Sequence, residues 1–419
     1  MTLNLKKRVT VITYVLSLSG LAIVSSIVEI LNISTDSSVP FILFRLLFLM
    51  LSVVLIAFNI QNVKLINSID GLLFVAFVLM YTLRILLDTV FFTTPLRLPS
   101  YNYILFAYGV CFIPFIAFRF SQIKLFKREI VIALLVILLI ASVFVLISVL
   151  DKIQSQEFRN GRLSNDKFSP IFLGHLGASL FVMSLYCFFS KLIDGNIYVK
   201  LVSILGIVVG MIVVIMAASR GPILSLIIVA AVYMFYYSSK KFFIYLFCVF
   251  AFGFIFSGEI FSFIDVSGSS AVRRLERMFD GEDESGSIRL DEWDGAIDQF
   301  VDSPLIGNSL EEQKYHFYPH NIYLEGFMST GVIGGMPFIG LLLMAMYRAF
   351  KHIQYSSEYT WVALLFIQYA IASFFSGAIY SNGPYWYFMA SVFSIGLPTR
   401  LVDSRIIFKR RLLKMYSRF

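Results

Sequence analysis

Uninterrupted apolar blocks recur along this chain, each about as long as a helix that crosses a lipid bilayer. A hydrocarbon layer about 30 Å thick needs roughly 20 apolar residues in a helix. Lipid offers the backbone no hydrogen-bonding partner, so blocks of this kind must be continuous helices. Their edges lie near 9–31, 39–59, 69–91, 101–119, 129–150, 168–189, 201–218, 221–237, 242–263, 321–347, 359–377 and 384–399, about twelve spans. Composition agrees: 58% of the 419 residues are hydrophobic, 14% are charged, and the mean hydropathy is +0.83. That leaves too little polar surface to solvate a soluble domain of this size. The first block follows Lys6-Lys7-Arg8 but is too long for a cleaved leader, so it reads as a retained span. Cys111, Cys187 and Cys248 all fall inside apolar blocks, which indicates neither a disulfide framework nor a metal cluster.

Lys and Arg set the orientation. Loops on the side of the N-terminus carry roughly twice the Lys and Arg of the opposite loops, so both termini are expected to be cytoplasmic. The net charge of +8 therefore follows membrane topology and does not point to nucleic acid. The expected architecture is an all-α polytopic membrane protein. Residues 1–264 carry the first nine spans, 265–320 a large outer loop, 321–399 the last three spans, and 400–419 a basic cytoplasmic tail. The outer loop holds half of the chain's 26 acidic residues. Within it Leu290, Trp293, Ile297, Phe300 and Val301 recur at helical spacing, predicting an amphipathic helix over 288–301 at the membrane surface. A second short interfacial helix is expected around Arg273, Arg274 and Arg277. GEDESG (281–286) reads as the turn between the two, and Ser303-Pro304 as the stop.

Candidate chemistry lies where charge is costly in a bilayer or at the outer helix ends. Arg220 sits in Ala-Ala-Ser-Arg-Gly-Pro, a tight outer turn, with Pro222 in the first turn of the next helix. A guanidinium beside a helix N-terminus suits phosphate; the plainer alternative is an arginine that anchors the turn. His320, in Pro-His-Asn before a span, is disfavoured as a cation by the helix dipole and so suits proton transfer; alternatively it only neighbours a cap. Glu325, one turn on, calls for a wet cavity or a protein partner. Arg289 opens the amphipathic helix and has Glu292 one turn away as an ordinary partner. Arg159 and Arg162 form a basic patch in loop 151–167, and His175 lies about two turns into its span, either lining the cavity or buried and bonded. Arg45, Arg84 and Asp88 occupy outer halves of spans, and Arg84 and Asp88, at i,i+4, are expected to satisfy each other. No nucleotide-binding loop, zinc motif or D-x-D is present. A metal-dependent sugar transferase would need such carboxylates, so side-chain cations would have to replace the metal.

Ser219-Arg220-Gly221, Ile288-Arg289-Leu290 with Trp293, Ser303-Pro304-Leu305-Ile306-Gly307, and Pro319-His320-Asn321-Ile322-Tyr323-Leu324-Glu325 running into Gly331-Val332-Ile333-Gly334 occur in this order around the large loop. With that set the chain resembles the superfamily of O-antigen polymerases and O-antigen ligases. The resemblance covers roughly the C-terminal half; the N-terminal half matches only in helix pattern. It implies a GT-C-like, metal-independent, inverting glycosyltransferase in a bacterial inner membrane, with the active site facing the periplasm and no cofactor. Arg220 and Arg289 would grip the pyrophosphate of an undecaprenyl-pyrophosphate-linked oligosaccharide. His320 would orient or deprotonate the acceptor hydroxyl. Arg159, Arg162, His175, Asn321 and Glu325 are the expected substrate-binding residues. A chain-length regulator, a flippase and membrane lipid are the implied partners. The last motifs look more like the polymerase branch, which extends the glycan on the next lipid-linked repeat, than the ligase branch, which transfers it to lipid A-core. A transporter is the alternative of another class. It would favour related halves and midplane binding residues, which the sequence does not display.

Overall fold

The computed structural model describes residues 3–31, 38–63, 65–92, 94–121, 123–154, 169–190, 196–217, 219–237, 284–355 and 357–398. Among them the chain is helical, without strands. In chain order the helices are α1 (Leu3–Ile30), α2 (Val39–Phe58), α3 (Ile69–Leu86), α4 (Ser100–Phe106), α5 (Ile113–Arg119), α6 (Ile123–Gln154) and α7 (Pro170–Phe189). There follow α8 (Ile197–Ala217), α9 (Arg220–Tyr237), α10 (Glu284–Asp302), α11 (Ile322–Gln354), α12 (Thr360–Ala372) and α13 (Gly383–Ile395). A wider, π-type turn extends α3 to Phe91, and another joins α4 to α5 as one span. Among the described residues eight helices are long and apolar enough to cross a membrane, and two shorter apolar helices, Arg220–Tyr233 and Thr360–Ala372, accompany them. The expected span at 242–263 and the expected interfacial helix around Arg273 lie outside the described residues, as do Arg159, Arg162, Cys248 and the tail. Cys111 and Cys187 are buried free thiols.

The amphipathic helix forms as α10, but it starts at Glu284, inside the expected GEDESG turn. An acidic residue at a helix N-terminus is favourable, which lets the helix begin early. Its apolar stripe enters the protein only in part: Phe300 packs against Phe327, with ring centroids 5.5 Å apart. Glu292, Ala296 and Gln299 face inward, while Leu290, Ile297 and Val301 stay exposed, as a helix lying on a bilayer requires. Asp302 ends it before Pro304, which has no amide to continue the ladder.

The two ends of the bundle differ. At one end ion pairs join the helices: Lys7 with Glu129 at 2.6 Å, Asp70 with Arg119 at 2.7 Å and with Arg348 at 3.3 Å, and Lys127 with Glu358. At the other end a single arginine fastens the loop after α10. Arg84 and Asp88 do pair, at 3.0 Å and fully buried, but they do more than satisfy each other. Arg84 also donates to the carbonyls of Ser329 (3.1 Å), Gly307 (2.8 Å) and Asn308, and Asp88 accepts the Leu310 amide at 2.7 Å.

That loop locks into a break in α11. Gly331 has φ +60°, which interrupts the helix and frees backbone groups inside it. The Val332 and Ile333 amides take the carbonyls of Pro304 (2.8 Å) and Leu305 (3.2 Å), and the Asn308 amide takes the carbonyl of Met328 (2.8 Å). The backbones approach so closely that a Cβ on Gly331 would lie 2.3 Å from the Leu305 carbonyl carbon, and one on Gly307 (φ +77°) 2.3 Å from that of Ser329. Only glycine fits either place. The motifs S-P-L-I-G and T-G-V-I-G-G are thus two halves of one junction. Arg84→Met strands the Asp88 carboxylate and three carbonyls, so it is expected to destabilise the protein by about 3–5 kcal/mol, read as a large fall in the detergent-solubilised melting temperature. Melting like the wild type would show that the clamp is dispensable.

Candidate functional site

The clamped loop delivers His320. Beyond the junction the chain forms a tight turn over 312–317, in which Glu312 caps its own loop by accepting the amides of Lys314 (2.9 Å) and Tyr315 (2.7 Å). Glu311, also buried, reaches across to the loop before α4. It accepts the Tyr103 hydroxyl at 2.6 Å and the Arg97 amide at 2.9 Å. Gln299 of α10 ties the same turn down through the Gln313 amide at 2.7 Å. His320 itself has φ +52°, an unusual conformation for a side chain of its size. Asn321 then caps α11, its side-chain oxygen accepting the amides of Tyr323 (3.0 Å) and Leu324 (3.2 Å). Ile322 donates its amide to the Ser373 carbonyl at 3.1 Å, which fixes the strap to the segment between α12 and α13.

The imidazole of His320 lies against Tyr318 and Phe317, with ring centroids 4.7 and 5.1 Å away. The exposed Arg97 guanidinium sits over the other ring of this stack, 4.2 Å from the Phe317 centroid. Burial first, and then the positive charges of Arg289 and Arg97, push the His320 imidazole down to about 4. At neutral pH it is therefore uncharged, as expected, but a weaker base than the helix dipole alone implies. The Glu292 carboxyl, buried one turn from Arg289, is raised to about 7 by burial, an effect opposed by Arg289 and reinforced by Glu312. Tyr318 is raised to about 12, again chiefly by burial. The structure thus brings His320, Arg289, Glu292 and Arg97 into one electrostatic neighbourhood. Arg97 was not singled out from sequence. It is a lone arginine in Pro-Leu-Arg-Leu-Pro, and only its contact with the distant Glu311 brings it here.

Arg220 takes a different position. It opens α9, exposed, and the turn packs beside α7 and the α12–α13 segment. A Cβ built on its neighbour Gly221 would lie 3.8 Å from Phe375 and 3.9 Å from His175 Nε2. His175 is buried, and neither of its ring nitrogens has a hydrogen-bond partner. The segment 373–382 therefore lies between two groups, contacting the His320 strap through Ser373 and the Arg220 turn through Phe375.

Two further candidates are engaged within the protein. Besides the cap of Asn321, both oxygens of the fully buried Glu325 have protein donors: the Tyr81 hydroxyl at 3.1 Å and the Ile379 amide at 2.9 Å. Both residues thereby anchor the elements around the site. Among the described residues no cluster of His, Cys, Asp or Glu is grouped to hold a metal ion.

Residues 205–339 match the family model described as O-antigen ligase. The matched stretch contains Arg220, Arg289 and His320, as well as both halves of the Gly307–Gly331 junction. No curated protein and no solved structure matches the chain.

Because the nearby cations weaken His320 as a base, replacing Arg97 and Arg289 together by Gln should move its titration upward toward its ordinary 6.5. Carbon-13 NMR of labelled histidine would read the midpoint, and an unmoved midpoint would refute the electrostatic coupling. The sign for stability follows: His320 binds its proton less tightly folded than unfolded. Its contribution is therefore level above about 6.5 and turns against folding as pH falls toward 4.

Proposed function

We propose, from the match of segment 205–339 to the O-antigen ligase family model, that this chain is a membrane glycosyltransferase acting on glycans carried by undecaprenyl pyrophosphate. The observation that carries the reading is the convergence of His320, Arg289 and Arg97 at the loop-bearing end of the bundle. The reaction is an inverting displacement. The acceptor hydroxyl attacks the anomeric carbon of the donor, its C–O bond forms as the bond from that carbon to the phosphate oxygen breaks, and the diphosphate leaves with the electron pair. The acceptor's proton passes to the His320 imidazole. Arg289 and Arg220 hold the diphosphate, two-pronged guanidinium contacts offsetting the charge that develops on the leaving oxygen. Arg97 joins them from the opposite loop.

This arrangement accounts for the weak basicity of the free site. A diphosphate between Arg289 and Arg97 cancels the positive field at His320 and raises its proton affinity. The base is thus strengthened when donor is bound, and premature protonation is suppressed when it is not. Arg159 and Arg162 serve the glycan or lipid around this centre, within a GT-C-like bundle whose site faces the periplasm. We read the acceptor as the next lipid-linked repeat unit, which makes the enzyme a polymerase. The description of the matched family favours transfer to lipid A-core as the second reading. A chain-length regulator and a flippase are the expected partners.

Purified protein given a lipid-linked repeat unit should extend it, whereas transfer only to lipid A-core would establish ligase activity. Arg220→Ala, Arg289→Ala and His320→Ala should each lower transfer by about 10²-fold or more, with membrane insertion intact. Arg220→Lys should also fail, because an ammonium cannot make the two-pronged contact. A chelator should leave the rate unchanged. Wild-type chain lengths in the three alanine variants would sink the assignment.

A further inference from the structure

A cavity of about 310 Å³ opens on the other side of segment 373–382, between α1, α2, α7 and the start of α13. Its volume is roughly that of ten liquid waters, enough for a phosphate head and the start of a chain. Most of its wall is apolar, built by Leu16, Leu21, Phe44, Phe48 and Leu176. Its polar features are few. Arg45 lines it, with the guanidinium stacked 4.6 Å from the Phe106 centroid and no ion pair to any described residue. His175 lines it too, with both ring nitrogens buried and unbonded. The start of α13 completes the set: Asn382 at the cap position makes no side-chain capping bond, and both Asn382 and Gly383 face the cavity.

A buried imidazole with neither nitrogen satisfied is costly unless something fills the space beside it. A neutral imidazole can donate one hydrogen bond and accept another. An unpaired guanidinium and an uncapped helix N-terminus both attract an anion. The cavity borders a helix with an exposed apolar face. Arg45 lies on α2, the least buried of the eight candidate spans, whose Ile42, Leu43, Leu46 and Leu47 are exposed. Three anion-attracting groups on the lining, apolar walls and the exposed face of α2 beside them together describe an amphiphile with an anionic head.

We propose that this cavity binds the phosphate head of a membrane lipid, with Arg45 as its cation and His175 as its hydrogen-bonding partner. The site is separate from the His320 cluster and does not depend on glycosyl transfer. Two lipid sources share this chemistry, a polyprenyl monophosphate and an ordinary anionic phospholipid. Full-length protein in neutral detergent would be titrated in separate arms with a short-chain polyprenyl monophosphate, phosphatidylglycerol and inorganic phosphate, with bound ligand counted by native mass spectrometry. Saturable binding of one lipid is expected, weakened about tenfold or more by Arg45→Ala and largely kept by Arg45→Lys. Inorganic phosphate, lacking the chain, should not bind. A preference for the polyprenyl arm or for phosphatidylglycerol identifies the source, and either supports the site. Lipid binding that is absent from the wild type, or unchanged in Arg45→Ala, overturns it. Should Arg45→Ala not fold, His175→Gln carries the test: severalfold weaker binding supports the site, and unchanged binding refutes it. Binding is read without turnover, so this result and that of the transfer assay stand or fall separately.

Discussion

The loop-bearing end of this bundle depends on one buried guanidinium. Removing an arginine and an aspartate from water costs more than their mutual attraction commonly returns. The Arg84–Asp88 pair is worth keeping because its remaining donors and acceptor are spent on the loop after α10, holding the carbonyls of Gly307, Asn308 and Ser329 and the amide of Leu310. The same loop supplies the carbonyls that the broken α11 needs at Val332 and Ile333. Backbone groups freed inside a membrane helix are tolerated only where protein satisfies them again, and here the partner is the strap itself. Loop and kink therefore stand together, and His320, a dozen residues beyond the junction, inherits its position from both.

That inheritance explains a backbone conformation with a cost. A non-glycine residue at φ +52° sits about 1 kcal/mol or more above its relaxed state. It persists because the turn is held on both sides, by Glu311 and Glu312 before it and by the Asn321 cap and the Ser373 carbonyl after it. Strain at one imidazole, surrounded by fixed hydrogen bonds, is what a positioned functional group requires.

Much of this was legible in the sequence, and the remainder shows where one-dimensional reading stops. Apolar block length gave eight helices long enough to span, because lipid leaves the backbone a single option, whereas the last two blocks form helices of only 13 residues. Periodicity gave α10 as a surface helix with Leu290 and Val301 outward, although not that Glu292 and Gln299 take the inner face. The glycine motifs could be quoted as motifs, but nothing in the order of residues says that Gly307 and Gly331 touch. Glu325 reads in sequence as a polar group in an expensive place, and Asn321 as an expected substrate-binding residue. Whether such a group awaits a ligand or holds a neighbour depends on Tyr81, Ile379 and the α11 amides. Arg97 carried no local signal, since its significance lies in a contact with a carboxylate more than two hundred residues away.

The segment between α12 and α13 links what sequence had to treat as separate. Ser373 holds the strap that carries His320, Phe375 packs beside the Arg220 turn, and Ser376, Gly377 and Asn382 line the cavity shared by Arg45 and His175. Glu325, through the Ile379 amide, fixes this segment to α11 and so to the helix that His320 precedes. A ligand seated in the cavity would thus touch the element that contacts both the Arg220 turn and the His320 strap. Coupling of that kind requires contiguous packed contacts, and the chain of them here is short: cavity, segment 373–382, strap, imidazole.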